Sequence, residues 1–313
     1  MQQISACPEV STNVAIVQAV QHVRTMRGGA QAQLMRCGDG KSYVVKFRNN
    51  PQGVRILANE LIASKLGKLI GFTVPNPTIV EVGDWLIQHS PELHLSLAGR
   101  VLPFESGLHF GSEYALDSTQ GRVLDWLPME LLPRLRNPEE FAGILALDKW
   151  LCNADGRQAV FYKRGRERKY TACFIDYGYC FNATEWTFPD YPLRGTFARN
   201  EVYAEIVGWD DFEPWISMME TLDENLIWTI VGGTPPTWYN SEWDSLHQLA
   251  ETLVKRRSLV RDLIVTFRNS PRRPFPNWGR NQTYWNGDAS SVEDDRMQSK
   301  RACPNVGSAE AAG

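Results

Sequence analysis

One lysine and three carboxylic acids follow one another along the chain in an order that suits chemistry on phosphates. Lys46 ends a β-forming run, Glu60 lies in a helical stretch after it, and Asp155 and Asp176 occupy two later turns. Transfer of a phosphoryl group from ATP needs a cation on the phosphates, an acid that holds this cation, a carboxylate at the acceptor hydroxyl and a carboxylate on magnesium. The order and spacing of the four residues therefore indicate phosphoryl transfer.

Each of these residues also has an ordinary structural explanation. Lys46 alone is an exposed strand lysine, Glu60 alone is a helix-surface glutamate, and Asp155-Gly156 is a common turn dipeptide. However, the Asp-Tyr-Gly segment that begins at Asp176 follows at the end of the next predicted strand. A pair of strands between the two aspartates would bring both carboxylates to one end of a hairpin, which favours the functional interpretation.

A glycine pair precedes the strand that carries the lysine. Gly28 and Gly29 could form a loop whose backbone amides cover phosphate groups, or a simple hairpin turn. The surrounding sequence contains neither G-x-G-x-x-G nor G-x-x-x-x-G-K-[ST], so both interpretations stay open.

The elements that must position these residues are predicted from turn signals and periodicity. Two strands, 31–37 and 43–47, flank the turn Gly38-Asp39-Gly40, and a helical period runs from Val54 to Ile70. A second hairpin is predicted over 78–89 around Gly83-Asp84, and 91–122 reads as irregular. The segment 14–25 fits a strand or a short helix.

The second half of the chain is predicted to be mainly helical. We expect helices over 131–136, 138–150, 209–219, 223–230 and 243–267, and short strands over 160–163 and 170–175. The domain prediction is an N-terminal unit over 1–90, a C-terminal unit over 91–269, and a disordered tail over 270–313, where proline, asparagine, glycine and serine accumulate.

The bulk composition excludes several classes of protein. The chain has 313 residues, of which 43% are hydrophobic, so it can bury a large core. The net charge of −3 and the pI of about 6.0 do not indicate nucleic-acid binding. No run of eighteen apolar residues and no secretory signal occurs, so neither a membrane partner nor secretion is indicated. The six cysteines include no CxxC, which makes a cytoplasmic location the expectation.

Six short stretches resemble the HipA-like kinase family, distant relatives of the protein kinases and the phosphoinositide kinases. They are Tyr43–Phe47, Asn59–Ala63, Gly67–Pro75, Leu147–Trp150, Asn153–Asp155 and Ile175–Gly178. The resemblance spans roughly residues 25 to 265. It implies a two-lobed α+β protein-kinase-like fold, with a β-rich N-lobe at 1–90 and a mainly helical C-lobe at 91–269. It also implies ATP and Mg²⁺ as cofactors and a serine or threonine hydroxyl, on a protein or on the chain itself, as the phosphate acceptor.

The family's functional residues map onto this chain position by position. The resemblance implies that Lys46 binds the ATP phosphates, that Glu60 supports it, and that Asp176 is the magnesium ligand. Asp155 would be the catalytic base, and Asn153 is the asparagine of the family's Asn-x-Asp motif.

The chain departs from the family pattern close to Asp155. Arg157 stands where the family commonly has a histidine, and Val160 stands where it has a metal-binding asparagine. Gln158 is the candidate substitute for that asparagine. The alternative function is therefore a pseudokinase, a nucleotide-binding or scaffold module without turnover, and a small-molecule acceptor stays open. The chain begins near the nucleotide lobe, so we do not expect the toxin role of family members that have an extra N-terminal subdomain.

Overall fold

The N-terminal part of the computed structural model, which describes residues 16–114 and 121–280, is a small β-barrel with one long helix. Its first elements are β1 (Ile16–Thr25), β2 (Gln33–Cys37), β3 (Ser42–Lys46), helix α1 (Arg55–Leu69) and β4 (Pro77–Val82). They are followed by α2 (Asp84–Gln88), the hairpin β5 (His94–Leu97) and β6 (Arg100–Pro103), and β7 (Gly107–Glu113). Five strands close the barrel in the order β1-β2-β3-β7-β4.

The predicted hairpin before α1 is confirmed, and so is the helix. Strands β2 and β3 pair antiparallel with Leu34 opposite Val44, and Gly40 takes the positive φ of 81° that the turn between them needs. The segment with two open interpretations, 14–25, contains strand β1, which pairs with β2 and, in parallel, with β4.

Two predictions for the N-terminal part are wrong. The segment 84–88 is helix α2 rather than the second strand of a hairpin, because the backbone N–H of Leu86 bonds locally to the carbonyl of Gly83. The segment predicted as irregular, 91–122, is regular in part, because β7 (Gly107–Glu113) lies between β3 and β4 in the barrel. Gly111 of β7 is required by close packing, since a Cβ there would lie 2.4 Å from Cγ2 of Val80. The barrel therefore extends beyond the boundary predicted at residue 90.

The C-terminal part combines a small sheet with helices. Strands β8 (Gly121–Leu124), β9 (Gln158–Arg164) and β10 (Thr171–Ile175) form an antiparallel sheet in the order β10-β9-β8. Helix α3 (Glu140–Trp150) leads into β9, and α4 (Trp215–Glu220), α5 (Glu224–Gly232), α6 (Trp243–Arg256) and α7 (Val260–Arg268) follow. The helix predicted over 131–136 is a 3-10 helix, Met129–Arg134, and that over 209–219 divides into a 3-10 helix, Trp209–Phe212, and α4.

The main hydrophobic core joins α1 to the C-terminal part. Leu57, Leu61 and Leu66 of α1 belong to the same buried cluster as Leu147 and Trp150 of α3. A second cluster fills the barrel between its strands and α2. Because α1 is buried on nearly all sides, its polar residues must form hydrogen bonds or ion pairs with groups inside the protein.

The predicted disordered tail is wrong for residues 270–280. The Phe275 ring makes edge contacts with Tyr203 and Phe267, and Trp278 packs edge-on against Trp209 with ring centroids 5.3 Å apart. These aromatic side chains bury apolar surface, which offsets the entropy lost on ordering the segment. The remainder of the predicted tail, 281–313, lies outside the described residues. Among the helices that are described, none has the length and apolar character needed to cross a membrane.

Candidate active site

A lysine held between two carboxylates forms the centre of the site. Lys46 is the last residue of β3, and its Nζ forms an ion pair with Oε1 of Glu60 on α1. The same Nζ lies 2.8 Å from Oδ1 of Asp176, which follows β10. The side chains of Lys46 and Glu60 are 11% and 4% exposed, whereas that of Asp176 is 32% exposed. Glu60 also accepts a hydrogen bond from the backbone N–H of Tyr177 at 3.1 Å. The structure thus brings together three of the residues predicted from sequence.

The charges in this cluster are set by burial and by proximity. Burial disfavours the ammonium ion of Lys46, but the carboxylates of Glu60 and Asp176 outweigh this and raise its pKa. Burial also acts to raise the pKa of Asp176, but the adjacent Lys46 reverses the effect and lowers it. For Glu60 burial prevails, and its pKa is raised. At neutral pH the cluster therefore offers a firmly charged lysine and a half-buried, ionised aspartate.

The turn that carries Asp176 is shaped by close backbone packing. Asp176 itself has a φ of 63°, in the left-handed region that is uncommon for residues other than glycine. Gly178 lies so close to α1 that a Cβ there would be 2.6 Å from Cγ2 of Ile56. The Asp-x-Gly spacing thus has a steric reason: the turn must pass directly over the helix that carries Glu60.

Asn59 anchors the same turn. Its Nδ2 lies within hydrogen-bond distance of the carbonyl oxygens of Gly178 (2.7 Å), Cys180 (3.0 Å) and Ala183 (2.8 Å). Its Oδ1 accepts from the indole N–H of Trp186 at 2.8 Å. Asn59 is therefore a positioning residue. Its place directly before Glu60 was the only signal in the sequence.

A buried polar network supports the loop between α3 and β9. Asn153 donates to Oδ1 of Asp148 at 2.9 Å and accepts from the backbone N–H of Asp155 at 3.1 Å. Arg157 also reaches Oδ1 of Asp148, at 3.4 Å, and its guanidinium lies 4.2 Å from the ring centroid of Tyr177. Because both polar groups of the Asn153 amide are hydrogen-bonded within the protein, this residue stabilises the conformation of the loop.

Arg157 connects this loop to the turn of Asp176. Its Nη2 donates to the carbonyl of Ile175 at 2.7 Å and to the carbonyl of Asp176. The departure from the family's histidine at this position therefore has a structural consequence: one guanidinium links the Asp148 carboxylate to the backbone that carries Asp176. In the sequence, Arg157 stands out only because it replaces the family's histidine.

Asp155 lies apart from the lysine cluster. It is exposed, its Oδ1 accepts from the backbone N–H of Gly156 at 2.7 Å, and it does not line the main cleft. Gln158 and Val160 on β9 do line that cleft. Gln158 pairs with Ile175, directly before Asp176, whereas Val160 pairs with Cys173.

The cleft itself has a volume of about 810 Å³ and lies between the barrel and the sheet β8-β9-β10. This volume is within the range of small-molecule sites. Its walls include Gly28, Val44, Lys46, Phe110, Gln158 and Asp176. Gly28 lies in the turn between β1 and β2, while its neighbour Gly29 packs beside Gln52 and does not line the cleft. Of the predicted glycine pair, the structure brings only Gly28 to the site.

The donor set suits a cation that takes most of its ligands from elsewhere. Among the described residues, no group of three or more histidine, cysteine, aspartate or glutamate side chains could hold a metal ion. Mg²⁺ commonly uses one or two carboxylates and completes its shell with water and substrate phosphates. Asp176, with the Gln158 amide on the adjacent strand, fits that sparse requirement.

Comparison with known proteins identifies relatives at the level of family and of fold. The sequence profile of the HipA-like kinase family matches residues 16–185. No curated protein matches the sequence. The fold is similar to that of the Golgi casein kinase, which is also known with Mn/ADP bound; the first of these structures is 9% identical, has a TM-score of 0.48, and aligns over 83% of this chain and 74% of its own. The Helicobacter pylori proinflammatory kinase CtkA is 11% identical, with a TM-score of 0.42 over 81% of this chain and 97% of its own.

Proposed function

The chain belongs to the HipA-like kinase family, and we propose that it transfers the γ-phosphoryl group of ATP to a serine or threonine hydroxyl, on a protein or on itself. The observation that carries the proposal is Lys46 held between Glu60 and Asp176 in the wall of a cleft of about 810 Å³. In this proposal the barrel is the N-lobe, the helical part is the C-lobe, and ATP binds between them.

Different residues of the cleft would contact different parts of Mg-ATP. Lys46 donates to phosphate oxygens, and Glu60 keeps its ammonium group in place. Asp176 and Gln158 would hold Mg²⁺, which supplies positive charge to the phosphates when it is bound. Gly28 lets the backbone between β1 and β2 approach the nucleotide without a side chain in the way.

Asp155 is the proposed base for the acceptor hydroxyl. Its exposed position leaves it open to a macromolecular acceptor, and the buried Asn153 fixes its backbone. A base acts in the chemical step, whereas a metal ligand also contributes to binding in the ground state. The two aspartates should therefore differ in what their loss does.

The experiment compares three variants in the full chain with magnesium and γ-labelled ATP. Asp176→Asn should weaken metal-dependent ATP binding, and Asp155→Asn should keep that binding and lose phosphoryl transfer. Asp125→Asn removes an exposed carboxylate from the same cleft and serves as the matched control. Equal losses of nucleotide affinity in the Asp155 and Asp176 variants would reject this division of roles.

A pseudokinase is the second candidate, and two observations favour it. Val160 occupies the position of the family's metal-binding asparagine and lines the cleft without a donor atom, and the Asp155 carboxylate bonds to its own loop. When the nucleotide concentration is 100 times its Kd, binding alone would stabilise the folded protein by about 2.7 kcal/mol, and a binding module would not consume the nucleotide. A rise in Tm with Mg-ATP, together with no release of ADP under any magnesium or manganese condition, would establish this alternative.

A further inference from the structure

A second groove lies in the helical part of the chain, away from the lysine cluster. Its volume is about 740 Å³. The 3-10 helix Met129–Arg134, the start of α3, the segment 201–213 and the first residue of α4 form its walls. The apolar side chains in these walls include Met129, Leu132, Phe141, Val202, Ile206 and Trp215. Met129 is exposed, and Leu132, Val202 and Trp215 are half-buried, so this apolar surface is accessible.

Only acidic residues contribute charge to the groove. Six carboxylates line it, and no lysine, arginine or histidine does: Glu139, Glu201, Glu205, Asp210, Asp211 and Glu213. Two of the six already have partners, because Asp211 accepts from the backbone N–H groups of Val207 and Gly208 and Glu213 pairs with Arg261.

The other four carboxylates, those of Glu139, Glu201, Glu205 and Asp210, are exposed. They form no ion pair with any residue that the structure describes. An apolar surface with unneutralised negative charge at its edge complements a segment that is both basic and apolar.

The groove begins close to the proposed nucleotide cleft. Trp126 lines the cleft and Met129, three residues later, lines the groove. Likewise, Ala198 lines the cleft and Glu201, three residues later, lines the groove. Three residues of chain span at most about 11 Å. Arg199, in the second of these connections, stacks on the cleft residue Trp126 at 5.1 Å, so its charge lies against the cleft wall. A segment bound in the groove would thus end near the cleft.

We propose that this groove binds a segment of a partner protein that is rich in arginine or lysine and carries large apolar side chains. The further step, that the segment presents its neighbouring hydroxyl residue for phosphorylation, rests on the proposed function. The acidic edge would repel nucleic acid and anionic lipid. The chain's own residues 281–313 carry five acidic and three basic side chains, a net charge of −2, so they lack the complementary charge.

The first test is peptide binding by the full chain, measured by fluorescence anisotropy at low salt. The probe is a fluorescein-labelled peptide of alternating arginine and leucine. One control peptide has glutamate in place of arginine, and another has serine in place of leucine. We expect both control peptides to bind at least about tenfold more weakly, because charge and apolar contact are both needed. Equal binding of the glutamate peptide would overturn the proposal.

Variants locate the binding on the protein. Glu201→Gln/Glu205→Gln/Asp210→Asn should raise the Kd of the arginine-leucine peptide at least about tenfold and reduce its dependence on salt. The matched control Glu81→Gln/Glu92→Gln/Asp244→Asn neutralises three exposed carboxylates that do not line the groove, and it should bind as the wild type does. Wild-type affinity in the groove variant would overturn the proposal.

Two other results would show that a different segment occupies the groove. If the wild type fails to bind the peptide but Arg296→Glu/Lys300→Glu/Arg301→Glu binds it, residues 281–313 fill the groove and the proposal is wrong. If sedimentation shows self-association that Met129→Ser abolishes, a second copy fills it and the proposal is equally wrong.

A final measurement separates this inference from the proposed function. The groove variant should keep the wild-type rise in Tm with Mg-ATP, since no groove carboxylate touches the lysine cluster. When serine is added to both ends of the peptide, the groove variant should raise the KM for phosphorylation without changing kcat. Peptide binding that is intact in a wild type unable to transfer phosphate would reject the kinase proposal and leave the groove assignment standing.

Discussion

The ion cluster predicts a stability loss that depends on pH when its lysine is removed. Lys46→Met keeps most of the aliphatic stem but removes the charge between Glu60 and Asp176. The buried Glu60 then lies beside Asp176 without the ammonium group that had paired with both carboxylates. Removing one partner of a buried ion pair typically costs about 3–5 kcal/mol, because the other charge stays buried.

Protonation of Glu60 limits this loss. An unfolded glutamate has a pKa of about 4.3, so holding it protonated at pH 7 costs roughly 2.7 units at 1.36 kcal/mol each, or about 3.7 kcal/mol. At pH 5 the same reasoning gives only about 1 kcal/mol. The sign follows from a folded pKa above the unfolded one: stability is fully present below the unfolded pKa and is lost as the pH rises. The pKa of Glu60 is already raised in the wild type, but Lys46 restrains it, so the variant has the steeper dependence.

Urea unfolding of the wild type and Lys46→Met at pH 7 and pH 5, followed by tryptophan fluorescence, measures this effect. We expect a loss of about 3–4 kcal/mol at pH 7 and about 1 kcal/mol at pH 5. Adding Glu60→Gln to the variant should recover at least about 2 kcal/mol at pH 7, because the buried charge is gone. Lys41→Met, at an exposed ion pair, is the control and should cost less than about 1 kcal/mol at both pH values. An equal loss at both pH values, or no recovery in the double variant, would refute the reasoning.

Three further predictions concern the cleft, its turn and the C-terminal segment. Gln158→Ala should weaken Mg-ATP binding by about tenfold in titrations. Val160→Asn should not raise turnover, because position 160 lies two residues, or about 6.6 Å, farther along the strand from the end that carries Asp176. Faster turnover in this variant would contradict that geometry. Gly178→Ala should cost about 1–3 kcal/mol in urea unfolding, since its Cβ would meet Ile56, and an unchanged midpoint would show that the turn can move. Phe275→Ala should cost about 3–5 kcal/mol and lower the Tm, and a Tm within a degree of wild type would show that packing of this ring does not stabilise the fold.

Local patterns in the sequence were sufficient for the elements that make the lysine cluster. The β2-β3 hairpin, α1 and α3 depend on turn residues, strand formers and helical periodicity within a few residues, and these signals act without the rest of the chain. The membership in the HipA-like kinase family also follows from sequence, as does the order of Lys46, Glu60 and Asp176.

Other parts of the molecule depend on contacts between distant segments. Strand β7 has no clear alternation, and its place in the barrel comes from pairing with β3 and β4. Arg157 and Asn153 could equally be surface residues in the sequence, and only the approach of Asp148 makes them a buried network. Phe275 lies among arginine and proline residues in the sequence, and only the folded chain brings Tyr203 and Phe267 against it. Burial and strand pairing require contacts between segments that are distant in the sequence, so only the tertiary structure decided these features. Secondary-structure propensity, in contrast, acts between near neighbours along the chain and can be read from the sequence.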